Sequence, residues 1–183
     1  PTQKQQNILN TIFNTSRFAY NYFLAERVRS YKEDGVSLSY NKTSSMLTAL
    51  KREKDHLWLN DSDSMALQES LRDLDKAYQN FFKGNAGFPR FHSKRNKQSY
   101  RTRNQKDSIR VVGNTVKLPK VGFVKFKGLK PFEGRILNAT ISKSPSGKFF
   151  ISLCVESAET IKLNAGNKLG IDVGLKEFYT DSN

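Results

Sequence analysis

Leu67-Gln68-Glu69-Ser70-Leu71-Arg72-Asp73-Leu74-Asp75-Lys76-Ala77-Tyr78-Gln79-Asn80-Phe81-Phe82-Lys83-Gly84-Asn85-Ala86-Gly87 holds two textures in one run. Up to Phe82 the apolar residues Leu67, Leu71, Leu74, Tyr78, Phe81 and Phe82 recur every three to four residues, which is one face of a helix. Asp61 and Asp63 precede this run and suit the positive end of a helix dipole, so a helix is expected over 63–83. Gly84-Asn85-Ala86-Gly87 breaks the period, and beyond it the chain reads as short strands. Helices first and strands afterwards make an α+β chain.

Upstream, Ile8, Ile12, Phe13, Phe18, Ala19, Tyr22 and Phe23 predict a long helix from residue 3 to about 34, ended by Gly35. A second helix is expected over 39–55, with Met46, Leu47 and Leu50 inward and Ser37 or Ser39 as its cap. Trp58, between Leu57 and Leu59, is expected to anchor the turn into the third helix. Downstream, Ile109–Val112 and Thr115–Leu118 flank Gly113-Asn114, a hairpin signal. Strands follow at 121–127, 135–142 and 148–156, the last two joined by Ser144-Pro145-Ser146-Gly147. Their near-regular spacing predicts a small β-barrel. Lys168–Val173 and the continuation through Phe178 to Asp181 read as a separate hairpin that opens an α/β domain.

The 183 residues carry 31 Lys+Arg against 17 Asp+Glu, a net charge of +14. Residues 1–82 and 136–183 are close to balanced. The segment 83–135 holds 15 basic residues and only Asp107 and Glu133, so +13 falls in that stretch. A solvated face accounts for scattered lysines, but a one-signed block inside a folded chain repels itself unless a polyanion covers it. Its densest part, residues 88–103, interleaves Arg90, Lys94, Arg95, Lys97, Arg101 and Arg103 with Phe88, Phe91 and Tyr100. Such a pattern suits phosphates on the cations and bases on the rings. Phe88 and Phe91 are alternatively expected to pack beneath the loop. Lys125 and Lys127 continue the basic series on an alternating strand.

Other constellations are weaker. Tyr40-Asn41-Lys42-Thr43-Ser44 opens the second helix and Gln68 lies early in the third. These side chains either read bases in a groove or cap and solvate their helices. His56 and His92 are far apart, without companion ligands. The single Cys154 excludes an internal disulfide and a multi-cysteine zinc site within the segment, and fits a small core residue in a reducing, intracellular setting. No apolar run is long enough for a membrane helix, and no secretory leader is visible, so no membrane partner is expected. Asp172, between Ile171 and Val173 on an expected strand, is a costly placement unless a cation, a metal or backbone donors meet it.

Together these stretches resemble the TnpB family, RNA-guided DNA endonucleases of insertion sequences related to the type V CRISPR effectors. The resemblance runs through Arg17-Phe18-Ala19-Tyr20-Asn21-Tyr22-Phe23-Leu24, Gly87-Phe88-Pro89-Arg90-Phe91, Ser99-Tyr100-Arg101-Thr102, Val116-Lys117-Leu118-Pro119-Lys120-Val121-Gly122 and Gly170-Ile171-Asp172-Val173-Gly174-Leu175-Lys176. It implies a helical recognition lobe at 1–83, a wedge β-barrel at 84–160 and the start of an RNase H-like (RuvC) nuclease domain at 161–183. Asp172 then corresponds to the first catalytic and metal-binding carboxylate of a two-Mg²⁺ site. The implied partners are a guide RNA and a double-stranded DNA target whose adjacent motif Tyr40, Ser44 and Gln68 approach. A cytoplasmic, nucleoid-associated location is implied as well.

The same resemblance implies that a barrel strand precedes Pro1, and that the remaining carboxylates and the family's zinc module lie beyond Asn183. The segment by itself is therefore expected to bind and not to cut. An alternative within the resemblance is an RNA-guided DNA-binding repressor without nuclease activity. A strand-joining transposase would want a nucleophilic Tyr with a paired-His metal site, which two distant histidines do not supply.

Overall fold

The computed structural model describes residues 1–95 and 97–157, together with the backbone of two short strands at 171–172 and 180–181. Helix α1 (Gln3–Asp34) starts at a capping box in which Thr2 and Gln5 satisfy each other's backbone N–H. It ends at Gly35, whose φ of 68° lets the Gly35 and Val36 N–H groups reach the carbonyls of Tyr31 and Ser30. Helix α2 (Tyr40–Leu50) is capped by Ser39 and is shorter than the expected 39–55. The chain instead tightens into a 3₁₀ helix (Lys54–Asp61) that delivers Leu59, fully buried, to the helical core. Trp58 packs edge-on against Phe18 at 4.9 Å and so does anchor this turn. Helix α3 (Ser64–Phe82) is capped by Asp63, whose Oδ1 accepts from Met65 N–H at 2.9 Å. The other oxygen of Asp63 accepts from Thr102 at 2.5 Å, tying the helix start to the first strand.

That strand, β1 (Gln98–Arg103), lies inside the polar cluster and carried no apolar alternation to announce it. Only Tyr100 and Thr102 point inward, one aromatic and one hydroxyl, while Arg101 and Arg103 point away. Strands β2 (Arg110–Val112), β3 (Thr115–Leu118) and β4 (Gly122–Lys125) form one antiparallel sheet. Strands β5 (Arg135–Lys143) and β6 (Phe149–Glu156) join β1 in a second, ordered β1-β5-β6 and also antiparallel.

The expected closed barrel is not formed among the described residues: the strands make two separate three-stranded sheets. Leu9, Ile12 and Phe13 of α1 share one core with Val116, Leu118 and Val124 of one sheet and with Tyr100, Ala139 and Ile141 of the other. The side chain of Gln5 also donates to the carbonyl of Phe123 on β4. A helix thus supplies packing that closure of the strands would otherwise have to provide. The second half of α1 belongs to another core, where Ala19, Phe23 and Leu24 meet Leu47, Leu50, Leu59, Leu67, Leu71 and Leu74.

Strands β7 (Ile171–Asp172) and β8 (Thr180–Asp181) pair antiparallel, with Asp172 opposite Thr180, as the expected terminal hairpin requires. The side chain of Asp172, and the greater part of the expected nuclease opening at 161–183, lie outside the described residues. No described helix is long and apolar enough to cross a membrane.

Candidate nucleic-acid interface

None of the fifteen basic side chains between Lys83 and Arg135 is buried, and only Arg101 and Lys117 are partly covered. Among the described residues just two of them, Arg101 and Arg103, face carboxylates. Of the rest, Lys117 is half-covered, Lys120 donates to the Asn60 carbonyl at 3.1 Å, and the others stand in solvent.

The loop leading into β1 is held down at its neutral residues. Pro89 is buried, and Phe88 stands edge-on to Tyr78 and Phe81 at 5.6 and 5.3 Å. Phe91 does not pack beneath the loop as expected; it is 60% exposed. The ring of His92 lies flat on Tyr20, with centroids 3.8 Å apart and planes within 9°. Asn21 clamps the His92 backbone from both sides, donating to its carbonyl at 2.9 Å and accepting from its N–H at 2.8 Å. Arg17 donates to the Gln98 side chain at 2.9 Å. The Arg17-Phe18-Ala19-Tyr20-Asn21 stretch of α1 is therefore a seat for the loop. With the neutral residues tied down, Arg90, Lys94, Arg95 and Lys97 all project into solvent.

Arg101 and Arg103 have a different fate. Both reach Glu69 of α3, a carboxylate only 3% exposed, at 2.8 and 2.5 Å. Arg72 approaches the same group at 3.4 Å, and Arg101 also pairs with Asp73. Glu69 Oε1 makes ion-pair contact with Arg72 and Arg103 without an aligned hydrogen bond, so charge more than geometry holds it. Desolvation raises the pKa of Asp73 in spite of the Arg101 guanidinium beside it. These two arginines strap β1 to α3, and sequence alone could not distinguish them from the neighbouring cations that face solvent.

The sheet registers define the outer faces. On the β1-β5-β6 sheet, Ser99, Ser142 and Phe150 form one row, Arg101, Thr140 and Ser152 the next, and Arg103, Asn138 and Cys154 a third. Cys154 is exposed on this face and is not a core residue, because Ile151, Leu153 and Val155 hold the opposite parity of β6. On the other sheet Arg110, Lys117 and Phe123 make a row, with the Arg110 guanidinium 5.8 Å from the exposed Phe123 ring. Lys125 shares that outer face, and Lys127 is exposed just past the strand. Both sheets thus turn apolar residues to the shared core and cations, hydroxyls and single aromatics outward. Phe123 and Phe150 were missed as site residues in the sequence; their signal was parity, a ring out of step with the apolar positions of its strand. Lys143 has the inward parity of Ala139 and Ile141, in a row with Gln98 and Phe149.

Comparison with known proteins supplies the family. The chain is 30% identical over 181 residues to a protein of Escherichia coli K12 named "Putative RNA-guided DNA endonuclease InsQ", an alignment covering 98% of this chain and 44% of that protein. The chain belongs to the TnpB family. A Streptomyces pristinaespiralis protein, also named as an RNA-guided DNA endonuclease, is 27% identical over 183 residues, 98% of this chain and 45% of its own length. The chain therefore spans less than half the length of these two relatives. "Virulence protein VsdF" of Salmonella dublin is 35% identical over 106 residues, 53% of this chain and 89% of that protein.

A family model described as a helix-turn-helix domain, of the OrfB/IS605 type, matches residues 1–35. In this TnpB-family chain that stretch is the single helix α1 with its caps. The turn and the second helix come only at 35–50. Antiparallel packing of α2 on α3 sets Tyr40 against Arg72, whose guanidinium lies 4.3 Å over the Tyr40 ring, and Lys51 against Ser64 at 3.2 Å. Ser44 on α2 and Gln68 on α3 are both partly exposed. The three residues expected to approach the target-adjacent duplex thus lie along one helix pair. Arg72 joins them.

Proposed function

We propose that this chain is the nucleic-acid-recognition portion of an RNA-guided, metal-dependent DNA endonuclease of transposon origin. The observation that carries the reading is the surface between Lys83 and Arg135, whose basic groups are exposed and, apart from Arg101 and Arg103, lack a carboxylate partner among the described residues. Arg90, Lys94, Arg95, Lys97, Lys125 and Lys127 contact the phosphates of a guide RNA. Tyr40, Ser44 and Gln68 meet the DNA motif beside the target. The endonuclease names of two relatives support both partners.

Asp172 is the first carboxylate of a two-Mg²⁺ centre completed by ligands from outside the segment. Metal bound there would activate water and stabilise the leaving oxygen. Among the described residues no group of three or more His, Cys, Asp and Glu could hold a metal ion.

The test is fluorescence anisotropy with a structured RNA over a range of salt concentrations. Replacing Arg90, Lys94, Arg95 and Lys97 together by Gln should weaken binding and flatten the log–log salt slope by up to about 3, at roughly 0.7 per lost contact to an unpaired strand. An unchanged slope would reduce the block to a solvated face. Mg²⁺-dependent DNA cleavage by residues 1–183, lost in Asp172→Ala, would overturn the division between binding and cutting.

A further inference from the structure

The outer face of the β1-β5-β6 sheet carries a feature that phosphate contact alone leaves unexplained. Phe150 is 56% exposed on β6, opposite Ser142 in the register. Beside it opens a cleft of about 600 Å³ between Lys94, Arg95, Lys97 and Gln98 on one side and the β5–β6 turn on the other. Four cations line it, Lys94, Arg95, Lys97 and Lys143, the last from the inward row of the sheet, and among the described residues no carboxylate does. Lys143 is set by the fold: it sits 3.3 Å from Asn10 Oδ1 and 5.3 Å from the Phe149 ring centre. The row containing Phe150 is completed by two serines, so the ring stands beside small hydroxyl side chains. A phenyl ring kept in water forgoes the free energy of burial, and the other large apolar residues of β6, Phe149, Ile151, Leu153 and Val155, all take the half-buried inward parity.

We propose that this cleft holds an unpaired nucleotide segment, one base stacked on Phe150 and its flanking phosphates on Lys94, Arg95, Lys97 and Lys143. A base inside a duplex has both faces covered by its neighbours and cannot use such a ring, whereas an unpaired base can. The volume is that of a site for one small ligand, matching a single nucleotide step and not a helix. The inference rests on the nucleic-acid reading above and sharpens it: the basic loop grips a single-stranded part of its ligand. Stacking uses the π face common to all bases, so the site tolerates sequence and accepts RNA and DNA strands alike.

The experiment compares short single-stranded RNA, single-stranded DNA and duplex of the same sequence by anisotropy, with wild type, Phe150→Ala, Phe150→Leu and Phe150→Trp. Phe150→Ala and Phe150→Leu should each lose about five- to hundredfold affinity for both single strands, the range measured for stacked aromatics, with the salt slope unchanged and duplex binding untouched. Phe150→Trp should restore affinity and show fluorescence quenching by the strand above that of Trp58. Thermal unfolding of each variant checks that this outward residue is not needed for folding. If Phe150→Leu binds like wild type, or if duplex affinity falls equally, the stacking site is wrong. If wild type itself binds no strand, the nucleic-acid reading fails instead.

Discussion

The surroundings of His92 favour its neutral form. Desolvation of the ring lowers its pKa below the usual 6.5, Arg17 lowers it further, and Asp73 opposes both. The unfolded chain therefore takes up this proton first as pH drops through 6.5, so the His92 contribution to stability is complete above that pH and declines below it. Asp73 acts in the other direction, since its raised pKa makes the fold favour the protonated carboxyl. Replacing His92 by Phe keeps a ring on Tyr20 and removes the titration. Urea midpoints should fall between pH 8 and pH 5.5 in wild type, by less in His92→Phe, and nearly coincide for the two proteins at pH 8. Tyr20 and Asn21 were legible in the sequence only as part of a family stretch. Their task, seating a loop 71 residues away, depends on a stack and two backbone hydrogen bonds that no spacing encodes.

Strand β1 depends on helix α3 for its charge balance. Glu69 is the most buried member of that contact and serves three guanidiniums, each of them partly in solvent. Glu69→Gln leaves these cations close together with a neutral neighbour. The expected loss is about 1–3 kcal/mol, toward the lower end for a buried pair because solvent screens the arginines. Denaturant unfolding measures it, and a stability unchanged from wild type would mean that Asp73 and water replace Glu69 completely. At this scale the helices were readable because their apolar stripes keep one period over many turns. The strand β1 was not, since its inward face carries only Tyr100 and Thr102 and its outward face carries the same arginines that suggested a phosphate surface. Six side chains of one charge look alike along residues 90–103; whether a carboxylate waits opposite is a property of another element.

At the scale of the molecule, α1 joins two cores. Ile12 and Phe23, both fully buried, lie on the same helix but in different clusters. Ile12→Ala should cost about 2–5 kcal/mol through lost burial and the cavity left behind. Trp58, the only tryptophan, packs on Phe18 beside the helical core and reports that half by its fluorescence. If α1 couples the cores, Ile12→Ala lowers the Trp58 transition and the far-UV circular dichroism transition by the same amount. A Trp58 midpoint left at the wild-type value would mean that the halves unfold separately. Composition and order along the chain were enough to determine an α+β protein with its excess charge between Lys83 and Arg135, because periodicity and charge density are local quantities. Only the tertiary structure decided that the strands form two sheets packed on a helix and that Arg101 and Arg103 answer to Glu69. It also decided that Phe150 faces outward beside four cations. Each of these depends on which distant residues burial brings within a few ångströms, and a pairing energy exists only once both partners are there.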